Sequence, residues 1–181
     1  MTVADTGKQR EDTTTVTFRI GKNIIDLLHK MSEREKISLN ALVTRILNEY
    51  VEWEQYENKT GMVSLPGPVI SELFGKMNEE EIIALAENLG KKAMLDIALF
   101  MNNIGDLDSF LRWFEIRMQN SSIQINRTLG NNIDYYALKH DLGRNWSLYY
   151  KTILESILRD SFATPTEVTI SDSILKFRVN T

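Results

Sequence analysis

One short stretch with no nearby strand to pair with constrains how this chain can fold. Residues 13–20 (TTTVTFRI) are almost all β-branched or aromatic, which predicts a β-strand. Alternation divides its side chains into an apolar face and a polar face. The apolar face has Val16, Phe18 and Ile20, and the polar face has Thr15, Thr17 and Arg19. Because helical patterns follow at once, we expect this strand to satisfy its backbone groups by pairing with its own copy in a second chain.

Two amphipathic helices are predicted directly after the strand. Apolar residues spaced as on one helical face run from Asn23 to about Glu35. Lys36-Ile37 interrupts that pattern, and Ser38 is then a good N-cap for a second helix. Since neither Gly nor Pro occurs from Ser38 to Tyr56, we expect the second helix to be well formed.

This order of a strand, a short turn, a helix, a Ser38-Leu39-Asn40 step and a second helix resembles the ribbon-helix-helix family of DNA-binding proteins, the Arc-type repressors. The resemblance covers about residues 13–53 and also rests on the alternation from Thr15 to Arg19. It implies an intertwined homodimer whose two strands form an antiparallel ribbon over the helices of both chains. Such a ribbon enters the major groove of double-stranded DNA, so the resemblance implies a transcriptional regulator and, in the first instance, a repressor.

The resemblance also implies roles for individual residues. The residues that would face the bases are Thr15, Thr17 and Arg19. Arg19 is the strongest candidate, because a guanidinium group can donate two hydrogen bonds to O6 and N7 of guanine. The residues that would contact phosphates at the two helix starts are Lys22, Ser38, Leu39 and Asn40. The residues that would form the dimer core are Val16, Phe18, Ile25, Leu28, Leu42 and Ile46.

Charge is distributed unevenly along the chain. The whole sequence has a formal net charge of −4. Residues 13–48 contain six Lys and Arg against three Asp and Glu, which gives this segment a net charge of +3. A locally basic segment is compatible with DNA binding, although it is also common on ordinary protein surfaces.

Composition also indicates in which cellular compartment the protein is expected. The chain has no cysteine, which fits a reducing cytosol, and no apolar run long enough to span a membrane. We therefore expect a cytoplasmic protein with no membrane partner. Residues 1–12 are polar and are predicted to form a disordered arm.

A domain boundary is predicted near residue 60. Residues 54–66 lose their helical periodicity, and Pro66-Gly67-Pro68 then starts a new element. We expect a DNA-binding and dimerisation domain over residues 13–57 and a second domain over residues 66–181.

The second domain is predicted to be α+β. Helices are expected over 69–76, from the Asn78 N-cap to a stop at Leu89-Gly90, over 92–103, and after Asp106 or Asp108. The segment 92–103 is apolar nearly all round, which predicts a buried helix.

Two β-hairpins with a long helix between them are predicted to complete the second domain. One hairpin is expected to turn at Gly130-Asn131-Asn132 and the other at Asp172-Ser173, and the helix is expected to run from about Trp146 to Phe162. A single antiparallel sheet backed by helices suits this order of elements.

No catalytic or metal-binding motif stands out. The two histidines, His29 and His140, lack cysteines or further histidines at metal-binding spacing. Neither a phosphate-binding glycine loop nor a nucleophile elbow occurs. We therefore expect no cofactor, no metal and no enzymatic activity.

The segment from His140 to Ser147 combines polar and aromatic residues at a predicted strand-to-helix corner. One interpretation is a structural corner with caps and core packing. The other is a site for a small-molecule or protein effector, formed by His140, Arg144 and Trp146, where an anionic group would meet the helix start.

Two hypotheses for function belong to different classes. In the first, a homodimer or higher homo-oligomer binds operator DNA, and the second domain mediates assembly or senses an effector. In the second, the chain is an antitoxin-type module that binds a toxin and regulates its own operon. Antitoxins of this family use a short disordered tail, whereas residues 66–181 are predicted to fold.

Overall fold

The computed structural model describes residues 13–57, 59–102 and 105–180, and the chain divides after Leu47 into two compact units. The predicted disordered arm, residues 1–12, lies outside the described residues. The functional domain limits of 13–57 and 66–181 stay a prediction.

The first unit contains the two predicted helices, which are confirmed. Helix α1 spans Lys22–Glu35 and helix α2 spans Leu39–Glu49. Helix α1 ends at Lys36, which has the left-handed backbone conformation (φ 58°), and the Ile37 N–H donates to the Ser32 carbonyl across this turn. Residues 13–20 form neither helix nor sheet within the single chain, so their pairing with a second chain stays a prediction.

Helical structure then continues through most of residues 50–120. Two short π-helical segments, each called a π-turn below, lie at Tyr50–Glu54 and Ala86–Gly90. The α-helices are α3 at Gln55–Glu57, α4 at Gly67–Gly75, α5 at Glu79–Leu85, α6 at Lys91–Asn102 and α7 at Leu107–Asn120. Two of the predicted N-caps are confirmed. Asn78 accepts the Glu81 N–H at 2.9 Å in a reciprocal capping box, and Asp106 accepts the Ser109 N–H at 2.8 Å.

The predicted helix stop at Leu89-Gly90 is wrong, because the helix runs through the second π-turn directly into α6. The glycine serves close packing instead. A β-carbon on Gly90 would lie 2.5 Å from the Tyr149 hydroxyl oxygen, so a larger residue at this position would have to displace the Tyr149 side chain. The expectation that the segment 92–103 is buried throughout is also wrong. Met94, Ala98 and Met101 are buried, whereas Leu99 and Phe100 are more than half exposed.

The remaining residues form an antiparallel sheet with one long helix, and the predicted α+β class is confirmed for this part of the chain. The strands are β1 (Gln124–Leu129), β2 (Ile133–Lys139), β3 (Thr169–Ile170) and β4 (Ile174–Asn180), and α8 (Arg144–Phe162) joins the two hairpins. The strand order is β1-β2-β4-β3. Both predicted turns are found, the first closed by the Gly130 N–H, which donates to the Ile133 carbonyl at 3.0 Å.

Helices α7 and α8 pack on one face of the sheet and build the core there. Phe177 of β4 stacks on Tyr136 of β2, with ring centroids 4.7 Å apart, and meets Phe114 of α7 edge-on at 6.1 Å. The opposite face of the sheet presents exposed side chains from alternate positions of β2 and β4. Among the described residues, no helix has the length and apolar character needed to cross a membrane.

Candidate nucleic-acid interface

The first unit leaves most of its apolar side chains in contact with solvent. Within residues 13–47, Leu42 is the one apolar side chain that is fully buried. Val16 and Phe18, both predicted for the dimer core, are 63% and 62% exposed. Of the other predicted core residues, Ile25 and Leu28 are half-buried and Ile46 is exposed. Further exposed apolar residues of the unit are Ile20, Ile24, Leu27, Met31 and Leu47.

The three residues predicted to face the bases are all exposed. Thr15, Thr17 and Arg19 alternate with the exposed apolar residues Val16 and Phe18 along the same segment. Among the described residues, Arg19 has no ion-pair partner within 4.0 Å, which leaves its five N–H donors available to a ligand. The structure thus brings the predicted base-contacting residues together on one short segment, and their role stays a prediction.

The start of α2 offers backbone donors, and its predicted contact with a phosphate stays a prediction. Ser38 caps the helix, since its Oγ accepts the Ala41 N–H at 3.1 Å and its carbonyl accepts the Leu42 N–H at 3.0 Å. The N–H groups of Leu39 and Asn40 donate to no group within the described chain. Free amides at a helix start favour an anion such as a phosphate. Lys22, the fourth predicted phosphate contact, is exposed at the first position of α1.

An ion pair joins the two helices of this unit. Arg45 Nη2 of α2 lies 2.6 Å from Glu35 Oε2 at the end of α1. Both side chains are partly exposed, so this pair contributes little to stability. His29 lies exposed on α1, and its backbone carbonyl accepts the Ser32 hydroxyl at 2.9 Å.

The predicted effector corner is internally satisfied. His140 is buried, its Nδ1 accepts the Leu142 N–H at 3.2 Å, and its Nε2 lies 2.8 Å from Ser147 Oγ. Because Nδ1 is an acceptor, these contacts assign the proton to Nε2, which donates to Ser147. Burial lowers the pKa of His140, and the nearby Asp141 carboxylate opposes that effect.

The other two residues proposed for this corner are used by different parts of the fold. The Trp146 ring is buried 4.3 Å from the His140 ring, whereas the exposed Arg144 has its Nε 3.8 Å from Glu79 Oε1. Asn145 Nδ2 donates to the carbonyls of Phe74 and Met77 at the end of α4. These contacts favour the structural interpretation of the corner over the effector-site interpretation.

One polar cluster, centred on the buried carboxylate of Asp134, was not found by sequence reasoning. Arg127 of β1 donates through Nε and Nη2 to Asp134 Oδ2 of β2, at 3.0 and 2.5 Å, and its Nη1 lies 3.3 Å from Glu115 Oε1. The hydrogen bond to Asp134 raises the pKa of Arg127. A sequence signal did exist, because period-two alternation places Asp134 on the same face as Tyr136 and Leu138.

Two further observations on the described residues concern sites for a ligand. The described residues contain no group of three or more His, Asp or Glu side chains arranged to hold a metal ion. A shallow, open depression lies between α7 and β1, beside Gln119 and Ile125. Comparisons with protein-family models, with curated proteins and with solved structures found no match. Function has to be inferred from the residues and their geometry.

Proposed function

We propose that this chain is a sequence-specific, double-stranded DNA-binding regulator that acts as a homodimer. In this proposal the 13–20 segments of two chains pair as an antiparallel ribbon that enters the major groove. The polar face of the ribbon reads bases, and the helix starts hold the phosphate backbone. The proposal also makes the protein a repressor, since the dimer would occupy its operator.

The apolar surface of the first unit is the observation that carries this proposal. Each large apolar side chain that becomes buried contributes about 1.5–3 kcal/mol, and this unit leaves eight of them exposed. A two-helix unit whose one fully buried apolar side chain is Leu42 has a very small hydrophobic core. A second copy of the chain is the simplest source of the missing apolar contacts. The neighbouring segment of β-forming residues also lacks a strand partner among the residues that the structure describes.

The exposed polar groups match what a duplex offers. Arg19 can donate a bidentate pair to guanine, and the threonine methyl and hydroxyl groups can contact thymine or either base pair. The free amides of Leu39 and Asn40 suit one phosphate, and Lys22 suits another. Because threonines reach less far than long polar side chains, specificity also depends on DNA shape.

A binding titration on selected DNA tests the proposal. Duplexes would be enriched from a random library on the full chain, and fluorescence anisotropy would measure their affinity and salt dependence. Arg19→Ala is expected to weaken binding by about 1–3 kcal/mol and to relax preference at one position of each half-site. The matched control is Lys92→Ala, which removes one exposed cation from α6. Failure to enrich any duplex would refute the function, and an unchanged affinity and preference in the Arg19 variant would refute its assigned role.

The second unit is proposed to assemble dimers into larger complexes or to respond to an effector. Exposed Leu99 and Phe100 on α6 give it apolar surface for such contacts. The folded α+β structure of residues 107–180 differs from the short disordered tail expected of an antitoxin, and no contact described above favours that alternative.

A further inference from the structure

The face of the sheet that is turned away from α7 and α8 is basic; we call it the outer sheet face. It displays alternate residues of the strands, and the six that matter here are Asn126, Thr128, Tyr135, Lys139, Lys176 and Arg178. All six are exposed. Outward-facing strand positions carry three cations and no carboxylate, although the whole chain has a net charge of −4. If charged residues were placed at random on a chain with more carboxylates than cations, this face would not be expected to carry cations alone.

Strand register places an aromatic ring among these polar groups. Tyr135 is half exposed and lies directly opposite Arg178 of β4 on one side and Thr128 of β1 on the other. The next outward residue of β2 is Ala137, which lies opposite Lys176 and Asn126. A small residue beside Tyr135 leaves the ring accessible from above the sheet. The ring is therefore flanked by cations along β4 and by hydrogen-bonding side chains along β1.

The three cations are free to bind an external anion. Among the described residues, Lys139, Lys176 and Arg178 have no carboxylate within 4.0 Å. Arg127, on the opposite face of the same sheet, is by contrast held by Asp134 and Glu115. Glu167 follows Thr166, whose hydroxyl donates to the Arg178 carbonyl, so this carboxylate lies at the edge of the face without forming an ion pair with Arg178. The sheet thus neutralises its inward-facing arginine and leaves its outward-facing cations unpaired.

We propose that the outer sheet face binds single-stranded nucleic acid. An unpaired base can stack on Tyr135 while phosphates meet Arg178 and Lys176, and Asn126 and Thr128 can hydrogen-bond base edges. A duplex keeps its bases stacked on each other and cannot use the ring in this way. A second copy of the same face would oppose like charges, which disfavours self-association. This inference concerns the second unit and goes beyond the duplex binding proposed for the first.

The test measures anisotropy of labelled single-stranded RNA and DNA oligonucleotides, and of the matching duplex, on the full chain. Tyr135→Ala is expected to weaken single-strand binding on the order of tenfold, and Tyr135→Phe to retain it. The Lys176→Ala/Arg178→Ala variant should lower the slope of log K against log salt by about 0.7 for each cation removed. Its matched control, Lys59→Ala/Lys92→Ala, removes the same charge from exposed positions of the same unit and should leave the slope unchanged.

Three results would overturn this inference. They are a Tyr135→Ala variant that binds as well as the original chain, a duplex that depends on Tyr135 as strongly as the single strand does, and polyglutamate that displaces the oligonucleotide as efficiently as unlabelled strand. The last result would identify a site for acidic proteins. Arg19→Ala should leave single-strand binding intact, and Tyr135→Ala should leave binding of a selected duplex intact, so the two proposals can fail separately.

Discussion

Gly90 of the second π-turn and Tyr149 of α8 approach so closely that a β-carbon on the glycine would lie 2.5 Å from the tyrosine hydroxyl oxygen. The same β-carbon would lie 2.6 Å from Ile153 Cδ1, one turn further along α8. Both neighbours belong to the helix that forms the centre of the second unit, and burial raises the pKa of Tyr149. The absence of one side chain therefore decides how the π-turn and α8 fit together.

Gly90→Ala is expected to destabilise the second unit by about 1–3 kcal/mol, because the added methyl group overpacks the contact with α8. Urea denaturation followed by tryptophan fluorescence would measure the loss. Gly75→Ala is the control, since a β-carbon at Gly75, the last residue of α4, would meet no atom within 4 Å. Equal stability of the two variants would contradict the packing role of Gly90.

Ala163→Gly is expected to raise the free energy of unfolding by about 0.5–1 kcal/mol. Ala163 ends α8 in the left-handed conformation (φ 50°), which carries a steric cost for any residue with a β-carbon. Differential scanning calorimetry would show a higher melting temperature. The same substitution at the exposed Ala84, inside continuous helix, should instead destabilise by about 1 kcal/mol. A loss of stability in both variants would show that the left-handed turn costs nothing.

Stability is expected to fall with pH below about 6.5 because of His140. Burial lowers the pKa of this imidazole from its ordinary value of 6.5, so the unfolded chain takes up a proton at a higher pH than the folded chain. The contribution is fully present above pH 6.5 and is lost as pH falls towards the folded-state pKa. Protonation of Nδ1 would also break its hydrogen bond with the Leu142 N–H.

Urea denaturation at pH 7.5, 6.5 and 5.5 would measure this dependence. His140→Gln removes the titrating group and should flatten the curve across that range. His29→Gln, at an exposed position, is the control and should leave the curve unchanged. A wild-type slope in the His140 variant would assign the pH dependence to other groups.

Phe18→Ser is expected to shift the protein from dimer towards monomer, because it removes a 62% exposed aromatic ring from the proposed ribbon. Sedimentation velocity over a range of concentrations would report the change. Leu129→Ser, which removes a 71% exposed side chain from β1, should leave the dimer intact. If the wild-type chain is monomeric at micromolar concentration, the intermolecular ribbon is refuted.

Sequence patterns were sufficient for elements whose residues interact locally. The hairpin turn at Gly130, the N-cap at Asn78 and the long amphipathic helix α8 each depend on residues a few positions apart. The role of Gly90 was predicted wrongly because a glycine in a helical pattern can serve either of two purposes. It can end the helix in the left-handed conformation, or it can allow a neighbouring helix to approach closely. Only the position of Tyr149, far away in sequence, distinguishes them.

Features that depend on distant residues were harder to foresee. The donation from His140 to Ser147 depends on the angle at which α8 leaves its preceding turn, and the Arg127–Asp134 pair depends on hairpin register. The basic outer sheet face arises only when β2 and β4 become neighbours. The ribbon segment is a different case, because its proposed partner is a second chain.

The π-turn at Ala86–Gly90 also determines which side chains of the continuous helix point towards the core on either side of it. Buried residues of this continuous segment recur every four positions, at Ile82, Ala86, Gly90, Met94 and Ala98. Four residues of an α-helix turn about 40° beyond a full circle, so such a stripe would wind away from the core. The wider π-turn rotates less per residue than an α-helix, so it offsets part of that extra rotation. Deleting one residue there would rotate α6 by about 100° and expose its buried methionines, so the length of this segment is constrained as well as the identity of Gly90.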